Sequence, residues 1–245
     1  MERGFDIGEV VMRYVITDNR IDKKCEGALK ARGFELIKMP PFSVLQEPVS
    51  AHPDMLLFIG KGKLVCHKEY FNIAEEQIRK ISRISNSEIV ISEEKIEKEY
   101  PSDVLFNAAL VGDKLICKRD AVSEKITELY GEENIINVKQ GYAKCSVCVV
   151  SDGAIITADG SIAKAAEKKG IDVLLVSPGG VHLDGYDCGF IGGASGTDEK
   201  NVYFCGNTDL HPDGDKIKKF CEKHGKTAVS LSDEPLYDYG TLIFI

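Results

Sequence analysis

The sequence predicts an α/β fold, a five-fold pseudo-symmetric α/β-propeller of ββαβ units with its ring closed by the C-terminal strand. The first observation is a repeat of about 40–50 residues, a period typical of radial or solenoid folds. The second is that the second strands of four repeats can be laid over one another, at 63–66, 114–117, 154–157 and 202–205. The third is that segment 239–245 has the pattern of a strand but no partner in its own unit. Pairing it with the first strand of the chain closes the ring and removes exposed strand edges.

The first unit lacks only the leading strand that the C-terminus supplies. We predict a strand at 9–17, a helix that ends at Gly33 and a strand at 34–39. The second unit is predicted to contain strands at 55–59, 63–66 and 88–92 and a helix at 70–84. The third is predicted to contain strands at 104–111, 114–117 and 135–138 and a helix capped by Asp120.

The last two units follow the same plan. The fourth is predicted to contain strands at 144–150, 154–157 and 172–176, with a helix that Asp159 caps and Gly170 ends. The fifth is predicted to contain strands at 189–194, 201–205 and 227–231 and a helix at 213–224. The chain is thus expected to form one domain, 1–245, with approximate units 9–39 plus 238–245, 52–92, 103–138, 142–176 and 187–231.

Composition excludes several classes of partner. The net charge of -8 and the lack of a basic block argue against nucleic-acid binding and against docking on an anionic membrane. No apolar run approaches the roughly 18 residues of a transmembrane helix, and the charged N-terminus has no apolar signal core. We therefore expect a cytoplasmic protein. Eight cysteines in 245 residues are too few to indicate a disulfide-rich protein, and most are interpreted as small buried thiols.

Two local motifs carry a resemblance to a known family. They are Gln-Gly-Tyr-Ala-Lys-Cys-Ser at 140–146 and Gly-Phe-Ile-Gly-Gly-Ala-Ser-Gly at 189–196. With the five units, they resemble the pentein fold, the α/β-propeller of the guanidino-group-modifying enzymes. Within that superfamily the chain resembles an uncharacterised bacterial family. The resemblance implies a catalytic cysteine on the last strand, a histidine in a His-x-Asp setting and acidic groups that bind a cationic substrate.

The chain matches this implied site only in part. His182-Leu183-Asp184 resembles the His-x-Asp element. The last strand, 238–243, has no cysteine, and Thr241 is its nearest nucleophilic side chain. Asn107 stands near the place where an acidic residue is expected. These departures weaken the case for guanidine hydrolysis by the usual route.

Cys145 is the candidate for a relocated nucleophile. The adjacent Lys144 favours its thiolate, and a first strand facing the channel would project the thiol into a pocket. The alternative is an inert buried thiol. Cys148 lies three positions further along a strand and so points to the opposite face, and we expect no metal site and no cofactor.

The remaining candidates flank the first strands. His182 is the predicted acid/base, and Asp184, Asn107 and Asp54 are the predicted substrate-binding residues; turn or cap chemistry is the alternative for His182, Asp184 and Asp54. The glycines at 192–196 lack the ending of a phosphate-binding loop, and close backbone packing is the better interpretation.

Two functions of different classes follow. In the first, the protein is a Cys-dependent hydrolase or transferase whose central polar pocket holds a small polar ligand, guanidino or amide-like. The alternative is a non-catalytic pentein that binds a ligand or a protein, which the missing C-terminal cysteine favours. A ribosome-binding role is a third option, against which the acidic charge argues. The sequence contains no signal for oligomeric state.

Overall fold

The computed structural model describes residues 12–245, and its regular elements form an α/β fold. Five sheets have three strands each, and a sixth has two. In each three-stranded sheet the middle strand pairs antiparallel with one neighbour and parallel with the other. The strands form separate sheets and no single closed sheet within the described residues.

The first sheet joins the two ends of the described chain. It contains β1, β2 and β17 at Arg13–Asp18, Phe34–Met39 and Ile243–Phe244, with helix α1 at Lys23–Ala31. Ile16 of β1 pairs antiparallel with Ile243, as the sequence predicted for the C-terminal strand. The predicted strand at 9–17 lies partly outside the described residues. Helix α1 begins at the Asp22 cap, whose carboxylate accepts from the backbone N–H groups of Lys24 and Cys25.

The second unit has more helices than the sequence predicts. Its elements are α2, β3, β4, α3, α4 and β5, at Pro53–Leu56, Leu57–Gly60, Lys63–His67, Lys68–Ile73, Glu75–Ile84 and Glu88–Ser92. The single helix predicted at 70–84 is wrong, because the backbone leaves helical geometry at Ala74 (φ -117°). The strand predicted at 55–59 starts only at Leu57, because residues 55–56 belong to α2.

The third unit contains β6, β7, α5 and β8, at Ala109–Val111, Lys114–Cys117, Glu124–Thr127 and Ile135–Asn137. The predicted strand at 104–111 is shorter, because residues 104–108 form turns with hydrogen bonds from Asn107 N to Val104 O and from Ala108 N to Phe106 O. Ser123 rather than Asp120 caps the helix.

The fourth unit contains α6, β9, β10, α7 and β11, at Ala143–Ser146, Val147–Ser151, Ala154–Thr157, Gly160–Glu167 and Asp172–Leu175. Residues 144–146 are therefore helical, whereas the sequence predicted a strand. Asp159 caps α7 as predicted, with its carboxylate accepting from Ser161 N and Ile162 N.

The fifth unit starts later than predicted. A short strand β12 at Val181–His182 precedes β13, β14, α8 and β15, at Ser195–Thr197, Asn201–Phe204, Gly214–Lys223 and Thr227–Ser230. Strand β16 at Leu236–Tyr237 pairs in parallel with β12. The strand predicted at 189–194 is wrong, since those residues form turns and the strand is the 195–197 segment that the sequence assigned to a turn.

The core is divided among the sheets. Five apolar clusters fill the spaces between each sheet, its helix and the neighbouring sheet. The cysteines predicted to be small core thiols are buried: Cys25, Cys66, Cys117, Cys205 and Cys221. In residues 12–245, no helix combines the length and apolar character needed to cross a membrane.

Candidate functional site

A cavity of about 350 Å³ is walled by the leading strands of all five three-stranded sheets, β3, β6, β9, β13 and β17. We call it the central cavity. Slightly more than half of its wall is apolar. Its polar part includes Thr241 and five charged side chains, those of Asp54, Lys144, Asp152, Asp198 and Lys226. A mainly apolar cavity with a few convergent polar groups is the usual form of a small-molecule site.

Short helices ahead of the strands position two of these groups. Asp54 is the second residue of α2, which starts at Pro53, and its backbone N–H donates to Gly240 O at 3.1 Å. Lys144 lies on α6, directly ahead of β9. Both side chains therefore project from the segment just before a leading strand and reach the same cavity.

Asp54 is a buried carboxylate without hydrogen bonds. The residue is 2% exposed, and neither carboxylate oxygen has a hydrogen-bond partner in the described structure. Burial raises the pKa of Asp54 to about 6, against the smaller opposing effect of the nearby Lys144 ammonium. The nearby Cys145 thiol also opposes this rise in the pKa, by less than Lys144 does.

Lys144 is tied to the C-terminal segment. Its Nζ donates to Thr241 Oγ1 at 2.5 Å, and the Oγ1 hydroxyl lies 2.9 Å from Gly192 O and 3.0 Å from Ser195 O. Thr241 has φ +75°, a left-handed conformation that β-branched residues rarely adopt. Such strain persists where the surroundings hold it, and it concentrates at functional sites.

Asn107 joins three segments of the site. Its Oδ1 accepts from the backbone N–H of Lys144 at 2.7 Å and of Cys145 at 3.3 Å. Its Nδ2 lies 3.2 Å from Asp54 O and 3.0 Å from Cys145 Sγ. Asn107 is fully buried and its polar atoms bind protein groups, so it connects these segments from behind the cavity wall.

Cys145 differs from the predicted nucleophile in its surroundings. It lies on helix α6 rather than on a strand, is 3% exposed and packs in the apolar cluster that contains Val104 and Leu183. Burial, with a further contribution from Asp54, raises the pKa of the Cys145 thiol well above its usual range. The ammonium of Lys144, predicted to activate the thiol, binds Thr241 instead.

Thiol reactivity tests this environment directly. We expect Cys145 to resist iodoacetamide in the native protein at pH 8.5, whereas the half-buried Cys188 reacts first, because only an accessible thiolate is alkylated. Peptide mass analysis over a pH series gives the rate at each cysteine, and labelling in urea confirms that all eight can react. Fast, selective native labelling of Cys145 would restore it as an activated nucleophile.

His182 and Asp184 lie elsewhere. Their side chains pair with each other, with Nε2 2.9 Å from Oδ1, and are 62% and 76% exposed. The pairing with His182 lowers the pKa of Asp184. The structure thus brings together Asp54, Asn107, Lys144 and Cys145, whereas His182 and Asp184 border separate depressions.

The glycine-rich segment at 192–196 acts through close packing, as predicted. A Cβ on Gly192 would lie 2.4 Å from Lys144 O, and one on Gly193 would lie 1.9 Å from Asp238 Oδ1. Asp238 itself was missed by sequence reasoning, although it lies in the segment compared with the catalytic strand of the penteins. Only its burial against Gly193 reveals it.

Two enzymes of known structure have a similar fold. Dimethylarginine dimethylaminohydrolase from Pseudomonas aeruginosa, solved as a cysteine-to-serine variant with citrulline, is 8% identical with a TM-score of 0.58, over 89% of this chain and 91% of that one. An amidinotransferase of saxitoxin biosynthesis from Microseira wollei is 11% identical with a TM-score of 0.50, over 84% and 72%. These likenesses confirm the predicted resemblance to the pentein superfamily at the level of the fold.

The particular family follows from the sequence match. The chain belongs to the family described as "Family of unknown function (DUF6873)", which matches residues 16–243. No curated protein matches the sequence.

Proposed function

We propose that this protein binds a small polar ligand in the central cavity, with a guanidinium, amidine or urea group of the ligand against Asp54. The observation that carries the proposal is the buried Asp54 carboxylate, whose two oxygens have no hydrogen-bond partner. A buried charge without partners is costly, and a ligand with paired N–H donors supplies the missing hydrogen bonds.

Of the charged side chains that line the cavity, Lys144 acts directly on Asp54, and this pairing narrows the ligand class. The Lys144 ammonium, held by Thr241, lies near enough to act on Asp54 through space. A ligand with separated donor and acceptor ends, such as an amino acid with a guanidino or ureido side chain, matches both groups. The citrulline complex of the structurally similar dimethylarginine dimethylaminohydrolase supports this class.

The proposal includes the five-fold propeller with its ring closed through the C-terminal strand. Three observations support it. Five sheets share the same strand arrangement, β17 pairs with β1, and all five leading strands line one cavity. In this arrangement the ligand lies on the propeller axis.

Binding is favoured over thiol chemistry. The last strand has no cysteine, and Cys145 is buried with a raised pKa. The catalytic roles predicted for Cys145, Lys144 and His182 stay predictions, and the labelling experiment above addresses the first of them. Asp54 and Lys144 act here as binding groups.

Thermal shift and calorimetry with L-arginine, L-citrulline and L-norleucine test the proposal. We expect arginine or citrulline to raise the Tm of the wild type. At a ligand concentration of 100 Kd, the free energy of unfolding should increase by about 2.7 kcal/mol, whereas norleucine should have no effect. Asp54→Asn should abolish the shift, whereas Asp187→Asn, at an exposed position, should preserve it. An equal shift in Asp54→Asn would contradict the proposal.

A further inference from the structure

A second cavity, of about 340 Å³, shares the segment leading into β17 with the central cavity. Tyr237, Asp238 and Tyr239 border the second cavity, and Thr241 borders the central one. We call the former the Asp238 cavity. It is largely polar and also includes His52 and Asp184.

His52 is the unpartnered group of this cavity. It is 1% exposed, and its Nδ1 has no hydrogen-bond partner among the described residues. Its two ring nitrogens lie 3.8 Å from Asp238 Oδ1 and 3.9 Å from Asp18 Oδ2, too far for hydrogen bonds. Burial lowers the pKa of His52, against the opposing effect of Asp238 and Asp18, so the neutral ring offers an acceptor nitrogen.

The charges around the Asp238 cavity do not balance. Arg20 binds Asp18 with Nε and Nη2 at 2.9 and 2.7 Å, and its Nη1 donates to Glu47 O. The guanidinium is therefore occupied, and it neutralises one carboxylate. Asp184, Asp238 and Glu47 add three carboxyl groups at the same cavity, although Glu47 also lies 3.3 Å from Arg20 Nη1 and burial raises the pKa of Asp238.

The shape of the cavity is specified by glycines and aromatic rings. Gly240 has φ +66°, and a Cβ there would lie 2.0 Å from His52 Cβ. Only glycine at this position therefore leaves room for the His52 side chain. Asp238 is seated against Gly193 and accepts from the N–H groups of Phe190 and Gly240, both at 2.9 Å. Tyr237 and Tyr239 also border the cavity, and their rings stack with centroids 4.6 Å apart. Aromatic rings attract cations.

We propose that the Asp238 cavity binds the primary ammonium group of a small organic ligand, with Asp238 and His52 as its acceptors and Tyr237 beside it. Each Asp238 oxygen already accepts one N–H and has a second lone pair free, and an ammonium supplies three donors. In residues 12–245 no three His, Cys, Asp or Glu side chains are placed to hold a metal ion, which favours an organic cation.

Titration with n-butylammonium, followed by ¹H–¹³C NMR of the histidine rings, tests this inference, with 1-butanol as the neutral probe. The ring signal that is present in the wild type and absent in His52→Gln is assigned to His52. We expect saturable shifts of the His52 signals with butylammonium only.

Asp184→Asn should weaken binding by no more than about fivefold, because that carboxylate is exposed. Tyr237→Leu should weaken it by roughly fivefold through loss of the aromatic face.

Asp54→Asn separates the two cavities, since it removes the carboxylate of the central one. Persistence of the His52 shifts in Asp54→Asn would support the inference. Equal shifts with butanol, no saturable shift, or affinity unchanged in both Asp184→Asn and Tyr237→Leu would overturn it. So would loss of the shifts in Asp54→Asn alone, which would place the cation in the central cavity. The amino-acid binding test of the central cavity stands independently of this result.

Discussion

Asp54→Asn is expected to stabilise the folded protein at pH 7.5 while it abolishes ligand binding. The folded-state pKa of about 6 lies above the ordinary 3.8 because burial disfavours the charged carboxylate. That difference corresponds to a destabilisation on the order of 2–3 kcal/mol at neutral pH, an upper limit on what the amide recovers. Stability and binding therefore change in opposite directions, as at sites where function maintains an unfavourable group.

The pH dependence identifies the cause of this effect. For a carboxyl whose pKa is raised on folding, the folded state binds more protons between about pH 4 and 6, so its contribution to stability falls as pH rises through that window. Below pH 4 both states are protonated and Asp54 contributes no difference. The advantage of Asp54→Asn over the wild type should thus grow from near zero at pH 4 to its full value near pH 7.

Urea unfolding over this pH range measures the difference, with Asp187→Asn as the matched control at an exposed position. The control should follow the wild type at every pH. An Asp54→Asn protein less stable than the wild type at pH 7.5, or an advantage that does not change with pH, would mean that Asp54 has a partner in solution and does not act as an unpaired charge.

Gly193→Ala is expected to cause the largest loss of stability, roughly 3 kcal/mol or more. Its Cβ would lie 1.9 Å from Asp238 Oδ1 and 2.4 Å from Asp238 Cγ. Asp238 cannot move aside, because it is buried and accepts backbone hydrogen bonds from Phe190 and Gly240. Gly193 O also accepts from Thr241 N, so the substitution would disturb the segment that borders both cavities.

Gly27→Ala is the control for this substitution. Gly27 lies inside α1, and a Cβ there would meet no atom within 4 Å. Alanine should therefore stabilise the helix by about 0.5–1 kcal/mol, as expected for a helix interior. Denaturant unfolding and near-UV circular dichroism compare the two variants. A Gly193→Ala protein as stable as the wild type would show that Asp238 is not held as described.

The strands of the five three-stranded sheets were largely predictable from the sequence because strands and helices leave a local pattern. Apolar runs and glycine turns predicted the middle strands. The unpartnered C-terminal strand was predicted to pair with the first strand, and the structure shows that pairing between Ile16 and Ile243. The segments leading into the first strands were wrongly predicted at 55–56, 104–108, 144–146 and 189–194. An apolar run that packs as turns or one helical turn has the same composition as a buried strand, and periodicity does not separate them.

From their places in the predicted units, the sequence grouped Asp54, Asn107, Lys144 and Cys145 in one site. It also placed His182 and Asp184 there, and these lie elsewhere. The sequence did not predict the chemistry of the four. Burial of the Cys145 thiol, the contact of Lys144 with Thr241 and the unpartnered Asp54 carboxylate depend on residues far apart in the chain. Hydrogen bonds, pKa values and access to a cavity are set by neighbours in space, so only the tertiary structure decided that Asp54 and Lys144 line the central cavity and that the Cys145 thiol is buried.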